Sequence, residues 1–152
     1  MRPTFQHNYK FVAGQTSPED LLTAKDYPAS GSYIDVTGYE WVEVIIHQGA
    51  IHDSDTPTFE VKQAEAVAGT LDTLDATYCK KVSAHSDDDQ IISMFITVES
   101  LALDHHFLSC VVSGVDNASY ADILFLLGGA RHVPVTQTTA LLPSDNQFIR
   151  AG

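Results

Sequence analysis

Seven histidines and twenty acidic residues make metal chemistry the first possibility to weigh. His47, His52, Asp53 and Asp55 fall close together, and a hard cation could use the two aspartates. A calcium loop of the EF-hand kind takes ligands at fixed steps over about twelve residues, with a glycine at the turn and a bidentate glutamate at the end; DSDTPTFE does not follow that plan. His85 with Asp87, Asp88 and Asp89 forms an acidic run, a pattern that belongs to solvated loops. His105 and His106 are adjacent, so on a strand their rings would face opposite sides and could not readily share one ion. The sequence therefore predicts no bound metal and no cofactor.

Covalent chemistry fares no better. There is no GxSxG elbow, and the glycines of LLGGARH do not sit between a strand and a helix as a phosphate-binding loop would need. Cys79 and Cys110 lie inside strand-like runs rather than in a CxxC frame, which reads as two buried free thiols. The paired HxH and glutamate spacing of cupin-type metal enzymes is missing. Glycoside hydrolysis needs two carboxylates at a set separation, which a chain so rich in acids does not specify by sequence. No set of residues stands out as catalytic, and the expectation is a protein that is not an enzyme.

The elements that would have to position any site are short strands. A chain of 152 residues, 44% hydrophobic, fits one domain around one core. Apolar runs bounded by turn residues place strands at about Tyr33 to Val36, Trp41 to His47, Thr58 to Ala64, Tyr78 to Val82, Ile91 to Val98, Phe107 to Ser113 and Ala121 to Leu127. In WVEVIIH, alternation turns Val42, Val44 and Ile46 inward and Trp41, Glu43, Ile45 and His47 outward. In TFEVKQA it turns Phe59 and Val61 inward and leaves Thr58, Glu60 and Lys62 wet. Half-buried strands of this kind predict an all-β fold, an antiparallel β-sandwich.

The ends differ from the middle. Residues 1–32 and 133–152 carry scattered large apolar side chains in a polar, proline-containing background and read as N- and C-terminal arms flanking a sandwich over 33–132. A short helical turn is the alternative over Ser17 to Tyr27. Ordering an arm costs about 1 to 2 kcal/mol of backbone entropy per residue, so Phe5, Tyr9 and Phe11, and likewise Leu141, Leu142 and Phe148, read as anchors for a neighbouring surface. That the arms wrap their own sandwich is the other reading.

The net charge of −12 disfavours nucleic acid, whose binding draws on Lys and Arg, and repels anionic membranes. No apolar run reaches the roughly 18 to 20 residues that span a bilayer, and MRPTFQHNYK lacks the apolar core of a secretory signal. These features predict a soluble chain made in the cytoplasm.

A resemblance supplies a function. Tyr33-x-Asp35 opening a strand, a strand ending in the Gln63 to Thr70 pattern, the Leu-Asp turn before an aromatic-led strand at Leu103 to Phe107, and the Gly128 to Pro134 segment resemble small cement or decoration proteins of tailed-bacteriophage virions. The similarity covers about Gly31 to Val135. The chain departs from the pattern at His132, where a tyrosine is expected, and at Leu71 to Ala76, where a basic residue is expected. What the resemblance implies is a jelly-roll-like sandwich on the capsid exterior, a dimer or trimer that binds the major capsid protein and neighbouring copies of itself. With it, the small-residue stretch Glu65 to Asp75, and Ala66, Gly69 and Thr70 within it, reads as a loop able to lie close against another backbone at a subunit contact. The rival reading is a carbohydrate- or receptor-binding module of a phage fibre or tail, with Trp41, Tyr39 and Tyr120 as its aromatic platform.

Overall fold

Side chains repeating at period two need two sheets to hide them, and two sheets are what forms. A computed structural model describes residues 9–14, 23–74 and 77–131. The strands are β1 (Lys10–Ala13), β2 (Asp26–Tyr27), β3 (Ile34–Asp35), β4 (Trp41–Gln48), β5 (Thr58–Ala64), β6 (Asp72–Thr73), β7 (Lys80–Val82), β8 (Ile91–Thr97), β9 (Phe107–Ser113) and β10 (Ala121–Gly128). One antiparallel sheet runs β1-β10-β4-β8; the other runs β2-β9-β5-β6, with β3 also on β9 and β7 also on β5. With β2 and β3 taken as one interrupted strand, and β6 and β7 as another, this is the order of a jelly roll, two interleaved Greek keys folded into a sandwich.

The core lies between the sheets. Val42, Val44 and Ile46 of β4, Ile123, Phe125 and Leu127 of β10, and Met94 and Ile96 of β8 face Phe59 and Val61 of β5 and Leu108, Cys110 and Val112 of β9, all of them buried. The alternation read in WVEVIIH and TFEVKQA is the one the strands adopt. Each fully buried Phe or Leu in such a layer contributes about 1.5 to 3 kcal/mol relative to exposure. Cys79 and Cys110 are buried and unpaired; burial pushes the Cys79 thiol up to about 11 and Cys110 to about 12.

Several sequence readings need correction. The segment taken as an N-terminal arm supplies two strands: β1 pairs along its whole length with β10, and β2 pairs with Val111 and Cys110 of β9. Tyr27, 2% exposed, belongs to the core. Residues 15–22 lie outside the described residues, and the end of the stretch weighed as a helical turn, Asp26–Tyr27, is strand. Tyr78 to Val82 is strand only from Lys80; Thr77–Cys79 forms a 3-10 turn. Glu65 to Asp75 is not one loop: Asp72 and Thr73 fold back onto Gln63 and Lys62 as β6, making a hairpin.

Gly69 earns its place by proximity rather than by a left-handed backbone. Its N–H donates to the Ala66 carbonyl at 2.9 Å, and a Cβ there would sit 3.2 Å from the Ala66 nitrogen. Its φ is not among the positive ones.

Candidate functional site

The outer face of the β1-β10-β4-β8 sheet is where the molecule departs from a simple wet-outside pattern. Register places Gly128, Leu126, Leu124 and Asp122 of β10 opposite Trp41, Glu43, Ile45 and His47 of β4, and these opposite Thr97, Phe95, Ser93 and Ile91 of β8. Side chains in directly opposed positions share a face, so Leu126, Leu124, Trp41, Ile45, Phe95 and Ile91 all point away from the core. Ile91 is 71% and Phe95 50% exposed. Across β10, Phe11 and Ala13 of β1 oppose Leu126 and Leu124. Apolar side chains thus lie on both sides of the sheet, interrupted on the outer side by Asp122, Glu43 and His47; uncovered apolar surface of this kind marks interaction surfaces.

At one end of this face the aromatics gather. The Trp41 indole lies over Gly128, where any Cβ would overlap the six-membered ring, so the absent side chain on β10 is what lets the ring lie down on the sheet. Its centroid is 5.7 Å from that of Tyr9 and 5.5 Å from that of Phe95, tilted by 50° and 32°. The Glu40 N–H donates to the Gly128 carbonyl at 3.0 Å, the Val98 N–H to the Glu40 carbonyl at 2.8 Å and the Arg131 N–H to the Gly38 carbonyl at 2.9 Å. These bonds frame a groove of about 630 Å³ lined by Tyr39, Glu40, Trp41, Phe95, Thr97, Val98, Glu99 and Arg131. The groove offers aromatic faces, two carboxylates and one guanidinium. Desolvation, then the Asp35 charge, raises the Tyr39 hydroxyl above its ordinary value and keeps it a hydrogen-bond donor.

The opposite end of the sandwich holds Asp53, Asp55, His85 and Asp88, weighed in the sequence as metal ligands, and uses them as ties between loops. Asp55 is 3% exposed. Its carboxylate accepts from the Ser119 hydroxyl at 2.7 Å, the Asn117 amide at 2.9 Å, and the Asp116 and Asn117 backbone N–H groups at 3.2 Å each. Burial pushes this carboxyl up, but the hydrogen bonds outweigh it and hold the group at about 2. His85 donates from Nδ1 to the Ile51 carbonyl at 2.7 Å, with Asp53 3.2 Å from Nε2 and Asp88 3.5 Å from Nδ1. The carbonyl first, then the two carboxylates, raise its pKa. At the groove's own end, in the loop from Val98 to β9, His105 is buried between the Leu103 carbonyl and the Asp72 carboxylate, each at 3.0 Å, and is raised by both. Among the described residues no three His, Cys, Asp or Glu side chains gather into a metal-holding group.

The residues singled out in the sequence therefore separate. Tyr9 and Phe11 sit on the apolar face, next to Trp41 and opposite Leu126 respectively. Ala66 and Thr70 are exposed at the hairpin tip of the other sheet, with Gly69 between them, and Gly31 donates to the Val67 carbonyl there at 2.9 Å. Phe5, Leu141, Leu142 and Phe148 lie outside the described residues. Of the aromatic platform, Tyr39 and Trp41 share the groove, while Tyr120 lies beyond the far end of β10, bonded to Ala50 and Gly49. Sequence reasoning missed Phe95, Glu99 and Arg131; alternation along β8 would have turned Phe95 outward, but only the β4–β8 pairing brings it to Trp41. Compared with known proteins, the chain matches no family model, no curated protein and no solved structure.

Proposed function

We propose that this is a structural virion protein of the decoration kind, a jelly-roll domain that docks on an assembled phage head and reinforces it by contacts repeated over the lattice. The observation that carries the reading is the outer face of the β1-β10-β4-β8 sheet, where Leu124 lies opposite Ile45 and the exposed Phe95 and Ile91 sit on β8 either side of that row. A lattice-binding protein gains affinity by multiplying weak contacts, so a broad shallow surface serves it where a deep pocket would not. The −12 charge favours a basic rim on the surface the protein meets. The partners in this reading are the major capsid protein and neighbouring copies of the chain.

The test is cosedimentation of the purified protein with phage heads that lack it. Binding that saturates at a fixed ratio to capsid subunits, and is lost in Ile45→Glu with its melting temperature unchanged, is the expected result. A protein that stays in the supernatant at every concentration refutes the reading.

The groove favours a second reading, a saccharide-binding module. A half-buried indole lying along the sheet, flanked by Glu40, Glu99 and Arg131, provides a ring to stack on a pyranose and charged groups for its hydroxyls. Quenching of Trp41 fluorescence by a glycan, without sedimentation on heads, would put this reading first.

A further inference from the structure

Edge strands normally carry a device against pairing with another chain, most often a charge. Among the described residues every edge strand but one does. Lys10 is in β1, Asp26 in β2, Asp35 in β3, Asp72 in β6, and Lys80 and Lys81 in β7. The exception is β8, seven residues reading IISMFIT, with no charge, proline or glycine. It ends the β1-β10-β4-β8 sheet.

The direction of its free backbone groups follows from the register. The Gln48 N–H donates to the Gln90 carbonyl at 2.8 Å, and the Val98 N–H to the Glu40 carbonyl at 2.8 Å; both are directly opposed pairs in the β4–β8 ladder. Bonded pairs alternate with unbonded ones in antiparallel sheets, so Ile92, Met94 and Ile96 turn their N–H and C=O groups to β4. Ile91, Ser93, Phe95 and Thr97 turn theirs to the open edge. The Thr97 carbonyl accepts from the Ser100 hydroxyl at 2.7 Å and has a second lone pair to offer; among the described residues the backbone groups of Ile91, Ser93 and Phe95 bond to nothing else, and the turn at Thr77–Cys79 lies near β8 without Tyr78 or Cys79 hydrogen-bonding to it.

We propose that β8 is a self-pairing edge: a second copy of the chain adds its own β8 antiparallel, about a two-fold axis at Met94. In that register Ile91 meets the partner's Thr97 and Ser93 meets the partner's Phe95, and each again by symmetry. Four pairs form, every one between residues whose backbone groups already point outward. Ile92 opposes the partner's Ile96 on the inner side, which continues the core layer across the axis. On the outer side the apolar faces of two sheets merge into one. The register has a cost at its ends, where Asp89 comes opposite the partner's Glu99. Salt therefore tightens this dimer by screening that repulsion, whereas it would loosen pairing with a basic strand from another protein. The pairing needs no particle, so its failure and the failure of the decoration reading are separate.

Sedimentation equilibrium of the full chain at low and high salt, with amide exchange at several concentrations, tests it. The expected result is a monomer–dimer equilibrium several-fold tighter at high salt, with the amides of Ile91, Ser93, Phe95 and Thr97 gaining protection as concentration rises. Those of Ile92, Met94 and Ile96 are protected throughout. Ser93→Pro removes only an outward donor, and Ser93→Lys places a charge on the edge; each should weaken the dimer at least tenfold, and the lysine variant decides if the proline variant fails to fold. A monomer under all conditions overturns the proposal. So does a dimer that both variants leave unchanged, or one that salt dissociates.

Discussion

Gly128→Ala is a one-carbon change whose effect can be worked out from a single contact. The new Cβ would occupy the space of the Trp41 six-membered ring, so the indole must lift from the sheet and give up its packing on β10 and its place between Tyr9 and Phe95. Overpacking of this kind costs about 1 to 3 kcal/mol; a value near 2 lowers the melting temperature by about 4 to 8 °C in a domain of this size. The sign should reverse when the obstacle is removed. Gly128 does not have a positive φ, so in a Trp41→Ala background alanine fits, and restricting the unfolded chain gains about 0.4 to 1 kcal/mol. A urea-denaturation cycle of wild type, Gly128→Ala, Trp41→Ala and the double variant should therefore give a coupling of about 1.4 to 4 kcal/mol. Trp41 is the only tryptophan, so its emission reports the displacement directly, shifting to the red in Gly128→Ala. Equal destabilisation in both backgrounds, or an unshifted spectrum, would refute the account of how this end of the face is built.

The titratable ties make two further predictions. Asp55 falls from 3.8 to about 2 on folding, so its stabilisation is complete above about pH 4 and lost as pH falls through 2. In Asp55→Asn the melting temperature should be lower at neutral pH and flatter between pH 4 and 2 than in wild type; parallel curves would count against the hydrogen-bonded carboxylate. His85 is raised above 6.5, so its stabilising contribution is full below that value and disappears as pH climbs past the folded one. NMR titration of the imidazole should give a midpoint above 6.5 that drops in Asp53→Asn, and a midpoint at or below 6.5 would remove the tie between the loops.

How much of this was legible beforehand depended on the range of the interaction that decides each element. β5 and β9 carry local patterns strong enough to fix their limits, and the sequence places them at Thr58–Ala64 and Phe107–Ser113, as the structure does. β1, β2 and β6 are two to four residues long and exist because β10, β9 and β5 offer partners, which no local window contains. Tyr78–Cys79 reads as strand by composition, yet turns as a 3-10 segment that puts Cys79 into the core and leaves Tyr78 exposed. The same limit governed the site. Asp55 invites a cation when its neighbours in sequence are counted; its actual partners, Asp116, Asn117 and Ser119, are more than sixty residues away.

Alternation assigns side chains to two faces, but it does not say which face is wet. In β10 the residues opposite the core, Leu124 and Leu126, are as apolar as those within it, and in β8 the outward set includes Ile91 and Phe95. Glu60 and Lys62 give β5 a charged outer side, joined at 3.8 Å, and β7 adds Lys80 and Lys81 to the same sheet. The two layers of the sandwich thus solve different problems: one ends at solvent, while the other has a second apolar side whose exposure folding does not require. Apolar surface left uncovered in a chain that, among the described residues, carries a charge on every edge strand but β8 is a cost in solubility, offset in this protein by a net charge of −12. A protein that worked alone would gain by exchanging Ile91, Phe95 or Ile45 for a polar residue, since none is buried and the core would lose nothing. That these positions are apolar, and that β8 among the edges is unguarded, are two independent features of one sheet, and both are accounted for if that sheet is where the chain meets other chains.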